Sequence, residues 1–211
     1  MTPALLLRDH PPVRAGLDWL TAHDARVQAL GVGINDITAP MRPELSFETL
    51  AQIIVAQQLS TKAAATIWAR VRAACDVTDP YAAARVPDDV FRAQGLSRQK
   101  ISYMRDLAGK MVKGEIDPRA WIHAPDADVM AAITSIKGFG KWSAQMALIF
   151  NLGRPDVWPA GDLGVQEGLR IYLGRADRPS VAETEDKGRD LFAGRCTAAA
   201  LILWRAKDKK T

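Results

Sequence analysis

Residues 133–144 read ITSIKGFGKWSA, and this stretch is the most informative about the fold. Gly138 and Gly140 stand two positions apart, directly before an apolar run of helical spacing that ends at Phe150. Glycines let the backbone turn tightly between two helices. The first N–H groups of a helix have no intrahelical acceptor, so such a helix end attracts phosphate. The stretch predicts a helical hairpin that grips a nucleic-acid backbone without reading its sequence, although a plain helix stop also explains the two glycines.

Apolar residues recur at helical spacing along most of the chain. Helices are predicted after the serine caps Ser46, Ser60 and Ser97, over residues 87–94, from Asp126, over residues 142–150, after the Ser180–Glu183 capping box and over residues 198–204. Segments rich in Pro, Asp and Gly near residues 31–45, 76–88, 114–126 and 151–162 are expected to be loops. No stretch alternates apolar and polar residues long enough to indicate a sheet, so the predicted fold class is all-α.

Composition restricts the class of protein. The chain has 211 residues, of which 48% are hydrophobic and 25% charged, which is typical of one globular unit or two lobes and excludes a disordered tail or a collagen-like repeat. The formal net charge of +4 suits a polyanionic partner but does not prove one.

Two cysteines and three histidines, without a CxxC pair, provide no zinc or iron–sulfur ligand set. The longest apolar run, residues 198–204, is far shorter than the roughly 20 residues that a membrane span needs. We therefore expect a cytoplasmic protein without a membrane partner.

Asp162 lies 22 residues after Gly140, in the segment WPAGDLGV at residues 158–165. An aspartate just before Leu163 is a candidate N-cap. A carboxylate held by backbone amides would also be a fixed negative charge, so the capping and the chemical interpretation are compatible.

A third segment, IIVAQQLS at residues 53–60, is followed by Lys62 and three alanines. Together with the hairpin and the Asp162 loop, in this order, it resembles the HhH-GPD DNA glycosylase superfamily over about residues 47–204. Trp142 and the closing helix over residues 199–204 are similar to the 3-methyladenine DNA glycosylase II branch. The resemblance implies one module of two helical lobes, with a helix-hairpin-helix motif and a cleft between the lobes. Their approximate ranges are residues 46–136, and residues 1–45 with 137–211.

The resemblance identifies Asp162 as the catalytic residue. Cleavage of an N-glycosidic bond builds positive charge on the sugar, and a fixed carboxylate stabilises that charge and can orient or deprotonate the attacking water. Bifunctional members of the superfamily carry a lysine where this chain has Trp142, which has no nucleophile, so hydrolysis without strand cleavage is expected. Lys141 is one position away, about 100° around the helix, and is expected to reach phosphate or solvent.

The resemblance also implies how a damaged base is selected. Trp142, Met146, Trp158 and Trp204 are the expected base-pocket residues, with Met146 standing where some members have Tyr. Aromatic faces attract a cationic alkylated purine. Gln58 or Leu59 is the expected wedge that fills the gap left by the extruded base, although Leu59 could instead be a core residue.

Phosphate is expected to contact the hairpin at Gly138, Phe139, Gly140 and Lys141. In this superfamily the hairpin often holds a monovalent cation, Na⁺ or K⁺, which by resemblance would bind the carbonyls of Thr134, Ile136 and Phe139; no other cofactor is expected. Basic residues that could meet phosphate are Lys62, Lys100, Lys137, Lys141, Lys207, Lys209 and Lys210.

The predicted function is that of a monomeric, monofunctional DNA glycosylase. Its expected reaction is hydrolysis of the N-glycosidic bond of alkylated purines, such as 3-methyladenine and 7-methylguanine, in duplex DNA during base excision repair. Two alternatives are a non-catalytic helix-hairpin-helix DNA-binding module and a bifunctional glycosylase/lyase that uses Lys141.

Overall fold

A computed structural model describes residues 5–209 of the chain, except for the side chain of Thr61. Within this range there are helices and one isolated bridge between Leu6 and Pro40, but no strand, so the all-α prediction is confirmed. The α-helices are α1 (Pro11–His23), α2 (Ala25–Ala29), α3 (Phe47–Ala56), α4 (Thr61–Ala74), α5 (Pro80–Arg85), α6 (Asp88–Ala93), α7 (Arg98–Val112), α8 (Asp126–Thr134), α9 (Lys141–Phe150), α10 (Leu163–Leu173), α11 (Val181–Phe192) and α12 (Cys196–Lys209). Short 3₁₀ helices cover Leu7–Asp9, Ile34–Asp36 and Pro118–Ile122.

Side-chain caps begin the helices where the sequence predicts them. The Oγ atoms of Ser46, Ser60 and Ser97 accept backbone N–H groups three residues on, at 3.2, 3.3 and 3.2 Å. Ser180 and Glu183 form the predicted capping box. Each cap satisfies an N–H that would otherwise lack an acceptor, so these helix starts are determined locally.

The chain folds into two compact units, of which the central one is Glu44–Ala144. Its core includes Phe47, Leu50 and Ile54 of α3, which packs on α7 with its buried Met104 and Leu107. The approximate lobe boundary expected from the sequence is residue 136, whereas the structure places residues 137–144 in the central unit. The reason is that the hairpin is hydrogen-bonded to other parts of this unit.

The second unit is formed by the described residues on either side of the central one. Its α12 packs against α1 and α10 and buries an apolar run that includes Ala198, Leu201 and Ile202. The predicted closing helix over residues 198–204 is therefore present but longer, because it begins at Cys196 and continues to Lys209.

The prediction of a loop over residues 76–88 is wrong, because this segment contains helix α5. Asp79 accepts the N–H of Tyr81 at 2.9 Å and Pro80 occupies the first helical position, which is a common way for a helix to begin. Ala83 is buried and α5 packs on α7. Tertiary packing thus stabilises a six-residue helix whose composition favours a loop.

Across residues 5–209, no helix is long and apolar enough to cross a bilayer. The same residues contain no group of three or more His, Cys, Asp or Glu side chains placed to hold a metal ion. Burial raises the pKa of the Cys196 thiol to about 12, so this cysteine is a protonated core residue at neutral pH.

Candidate active site

The glycine hairpin connects α8 to α9 in the central unit. Gly138 has φ +84°, a left-handed conformation that favours glycine, and a Cβ at this position would lie 2.2 Å from Cδ2 of Tyr103. The N–H of Phe139 donates to the Ile136 carbonyl at 3.0 Å, which closes the turn. Ile136 and Phe139 are buried whereas Gly138 and Gly140 are exposed. The apolar side chains therefore anchor the hairpin and leave the glycine backbone at the surface.

The predicted wedge residues lie in the turn between α3 and α4, also in the central unit. Gln58 has φ +57°, and within residues 5–209 no other residue except glycine has a positive φ. Such a conformation is unfavourable for a residue with a Cβ and is often found at functional sites. Leu59 is 38% exposed, so the alternative that it belongs to the core is wrong. Both side chains are exposed at this turn, as a wedge requires.

Asp162 is the N-cap of α10 in the second unit. Its Oδ1 accepts the backbone N–H of Gly164 at 2.8 Å and of Val165 at 3.0 Å. The indole Nε1–H of Trp204 donates to the same oxygen at 2.7 Å. Three donors on one oxygen fix the orientation of the carboxylate, and the positive end of the α10 dipole favours its charge. The site therefore holds a preorganised anion.

Trp204 reaches Asp162 from α12. Its ring stacks on Phe150, the last residue of α9, with ring centroids 5.8 Å apart. A Cβ at Gly164 would lie 2.7 Å from Cδ1 of Trp204, so a glycine at the start of α10 makes room for the indole. Sequence reasoning assigned Trp204 to the base pocket for its aromatic face, and the structure adds that its N–H orients the aspartate.

Two buried glutamines hold the loop that leads to Asp162, and sequence reasoning missed both. Gln145 of α9 donates from Nε2 to the Trp158 carbonyl at 2.8 Å. Gln166 of α10 donates from Nε2 to the Ala160 carbonyl at 2.9 Å. A glutamine inside an apolar helix run is a signal that could have identified them, because a buried amide requires a hydrogen-bond partner.

The assignment of Trp158 to the base pocket is corrected. Its side chain is 1% exposed, and its Nε1–H donates to the Thr184 carbonyl at 2.8 Å. The ring packs beside Phe192, with centroids 5.7 Å apart, and a Cβ at Gly188 would lie 2.0 Å from it. Trp158 is thus a core residue of the second unit, because both its ring and its N–H are used by α11.

The other predicted pocket residues are on α9. Trp142 is 51% exposed in the first turn, and Met146 is half-buried. Residues four apart lie on one face of a helix, so both side chains project from the same side of α9. Trp142 belongs to the central unit, whereas Met146, Asp162 and Trp204 belong to the second one.

Two of the lysines that could meet phosphate are hydrogen-bonded to other parts of the protein. Lys100 donates from Nζ to the Val55 carbonyl at 2.7 Å, and burial lowers the pKa of its ammonium group. Lys209 donates to the Gly31 carbonyl at 2.7 Å and to Asp36 at 2.6 Å. Each ammonium group therefore stabilises the fold. Exposed candidates in the central unit are Lys62, Lys137 and Lys141, while Lys210 lies outside the described residues.

The family model and the related sequences indicate the same protein family. A family model described as HhH-GPD superfamily base excision DNA repair protein matches residues 51–193. DNA-3-methyladenine glycosylase 1 of Schizosaccharomyces pombe is 31% identical over 169 residues, which are 78% of this chain and 74% of that protein. The Saccharomyces cerevisiae DNA-3-methyladenine glycosylase is 31% identical over 163 residues, or 70% of this chain, and the match spans about half, 53%, of its length.

Solved structures agree with the sequence relatives. A DNA-3-methyladenine glycosidase from Bacillus halodurans is 31% identical with a TM-score of 0.78, covering 91% of this chain and 88% of that one. The Schizosaccharomyces pombe 3-methyladenine DNA glycosylase in complex with abasic DNA is 26% identical with a TM-score of 0.72, covering 90% and 95%. Because the family model matches more than half of the sequence, this chain belongs to the HhH-GPD superfamily of base excision DNA repair proteins, and within it to the 3-methyladenine DNA glycosylase family.

Proposed function

We propose that this chain is a monofunctional glycosylase that hydrolyses the N-glycosidic bond of alkylated purines in duplex DNA. Family membership and the names of the relatives support this activity. The observation that carries the proposal is the Asp162 carboxylate, which three N–H donors orient at the start of α10. Duplex DNA is the partner, and the protein acts as a monomer.

The chemistry follows from the charge that develops on the sugar. As the glycosidic bond breaks, its electron pair leaves with the base and the sugar becomes cationic. A carboxylate that is already oriented stabilises this cation without reorganisation during the reaction. Water then adds to the sugar carbon and loses a proton. An alkylated purine that is cationic before cleavage departs as a neutral base, so the reaction does not depend on a strong general acid.

Trp142 supports hydrolysis rather than lyase chemistry. An indole cannot form a Schiff base with the sugar, so the product is an abasic site in an intact strand. A lyase that uses Lys141 would form a covalent adduct with DNA that borohydride traps, and Lys141→Ala would abolish this adduct. We expect no trapped adduct from the wild-type protein.

Selection of the base is assigned to aromatic and apolar side chains. The Trp204 ring lies beside the carboxylate that its N–H orients, and an indole face attracts a cationic purine. Trp142 and Met146 are proposed as further contacts with the base, on the exposed side of α9. Met146 is polarisable and can adapt its contact to the shape of the base.

We also assign a monovalent cation, Na⁺ or K⁺, to the carbonyls of Thr134, Ile136 and Phe139. The Ile136 carbonyl accepts the N–H of Phe139, and a carbonyl oxygen has a second lone pair that can face a cation. A bound cation would supply positive charge beside the hairpin backbone. The chain's own contribution is to hold Ile136 and Phe139 in place by burying their side chains.

The test of the activity compares the wild-type protein with Asp162→Asn on methylated duplex DNA, with mass-spectrometric identification of the free bases. Asparagine is also a good N-cap, so this variant keeps the start of α10 while removing the charge. We expect the rate of base release to fall about 100-fold or more, with DNA binding retained. Equal release by both proteins would remove Asp162 from its role. DNA binding by the wild-type protein without any released base would instead favour the non-catalytic module.

A further inference from the structure

One side chain connects the wedge turn to the hairpin. Gln57 donates from Nε2 to the carbonyl oxygen of Gly138 at 2.8 Å, across 81 residues of sequence. Its backbone N–H donates to the Ile53 carbonyl at 3.2 Å and so ends helix α3. The next residue is Gln58, with its unfavourable positive φ. Gln57 is therefore the first residue of the turn, and its side chain contacts the hairpin that is expected to bind the DNA backbone.

Helix α7 supports both of these segments. Its Lys100 donates to the Val55 carbonyl at 2.7 Å, at the end of α3. Its Tyr103 ring packs against Gly138, and its Asp106 accepts the N–H of Lys137 at 2.8 Å. These three α7 residues are spaced by three, so they lie along one side of the helix. The hairpin and α3 are thus held on a common support, and the Gln57 bond fixes the turn relative to the hairpin.

We propose that Gln57 is a positioning residue for base extrusion, which holds the wedge turn at a fixed place relative to the hairpin. This inference rests on the proposed function. Without the bond to Gly138, the turn can relax from the left-handed conformation at Gln58, and the wedge is no longer preorganised. Binding of the DNA backbone by the hairpin then no longer places the wedge against the base stack. Gln57 itself does not touch the base or the sugar.

The test uses two variants and two substrates. Gln57→Ala removes the side-chain donor, and Gln57→Glu keeps the length but presents an acceptor to the Gly138 carbonyl at neutral pH. The matched controls are Gln52→Ala and Gln52→Glu, since Gln52 is an exposed glutamine on α3, the helix that ends at Gln57. One duplex carries 7-methylguanine opposite cytosine, and the other carries it opposite an abasic-site analogue, where extrusion requires less energy because the base is unpaired.

We expect the single-turnover excision rate of both Gln57 variants to fall about 3- to 10-fold on the paired duplex, the size of one lost hydrogen bond. On the unpaired substrate their rates should stay within about twofold of the wild type, as should their affinity for DNA. Equal losses on both substrates would overturn the inference, because they would indicate a general structural defect. Wild-type rates on both substrates would also overturn it, and the activity itself would still stand.

A double-mutant cycle distinguishes a positioning role from a general structural role. It asks whether the effect of Gln57→Ala depends on the wedge side chains. The background is Gln58→Gly with Leu59→Ala, which removes both candidate wedge side chains while glycine tolerates the positive φ. If Gln57 acts through the wedge, adding Gln57→Ala to this background changes the excision rate little. A full additional loss would contradict the inference. If the wild-type protein excised no base, the proposed function itself would be refuted. This outcome differs from failure of the Gln57 role, in which the wild-type protein remains active.

Discussion

At the scale of single residues, Asp162 combines the N-cap seen in the structure with the proposed catalytic role. The same Oδ1 that caps α10 also accepts the indole N–H of Trp204. A capping carboxylate is held rigidly, and rigidity is what electrostatic stabilisation of a transition state requires. The N-cap is observed, and the proposed catalytic role uses the same oriented carboxylate, so folding of the helix start would also prepare the catalytic group.

The bond from Trp204 gives a prediction for catalysis. Trp204→Phe keeps an aromatic ring against Phe150 but removes the N–H that orients the carboxylate. Because a hydrogen bond to a charged group contributes about 1.5–3 kcal/mol, we expect the single-turnover excision rate to fall by roughly 10-fold or more. Trp19→Phe, at an exposed position on α1, is the control and should retain the wild-type rate. An unchanged rate in Trp204→Phe would show that the indole N–H is not needed.

At the scale of elements, close packing of α10 on α12 places Trp204 beside Asp162. The approach depends on Gly168, where a Cβ would lie 2.4 Å from the Leu203 carbonyl oxygen and 2.6 Å from the Leu203 Cβ. Leu203 directly precedes Trp204, so the distance between the two helices and the position of the indole are linked. A backbone contact of this kind cannot move aside as a flexible side chain could.

Gly168→Ala should therefore lower the free energy of unfolding, measured by chemical denaturation, by about 1–3 kcal/mol or more. Gly109→Ala on α7 is the matched control, because nothing lies within 4 Å of a Cβ there. Alanine favours the helix at such an open site and should stabilise the protein by about 0.5–1 kcal/mol. If both variants were stabilised, the close approach of α10 to α12 would be wrong.

At the scale of the whole molecule, a tyrosine joins distant parts of the chain and makes stability depend on pH. The hydroxyl of Tyr172 on α10 donates to Oδ2 of Asp24 at 2.8 Å, and Oδ1 of Asp24 caps α2. Burial, and then the bond to Asp24, raise the pKa of Tyr172 from 10.0 to about 12. Because the folded-state pKa is above the unfolded value, this contribution to stability is complete below about pH 10 and is lost as the pH rises through about 12.

We expect Tyr172→Phe to remove this part of the pH dependence. The free energy of unfolding of the wild-type protein should fall relative to the variant between about pH 10 and about pH 12, by on the order of 2 kcal/mol. Urea denaturation of both proteins at several pH values in this window measures the difference. If the free energies of unfolding of both proteins changed in parallel with pH, the phenol would be solvated in the folded state.

Much of the fold could be predicted because its signals are local. The hydroxyl groups of Ser46, Ser60 and Ser97 cap helices by accepting N–H groups three residues along the chain. The positive φ of Gly138 likewise forms the turn locally. The composition of residues 76–88 indicated a loop, and packing on α7 made part of it a helix. The candidate catalytic aspartate was identified by its family pattern, and its N-cap role by the adjoining helix.

The amino-acid sequence by itself thus determined the helical class, most helix starts, the hairpin and the place of Asp162. Only the tertiary structure decided that Trp158 is a core residue, that Lys100 and Lys209 bind carbonyl oxygens, and that Trp204 orients the aspartate. The physical reason is the separation of the partners: a capping oxygen accepts an N–H within one helical turn, whereas Gln57 and Gly138 are 81 residues apart. Contacts of that kind form only when the helices pack, so a local sequence pattern does not predict them.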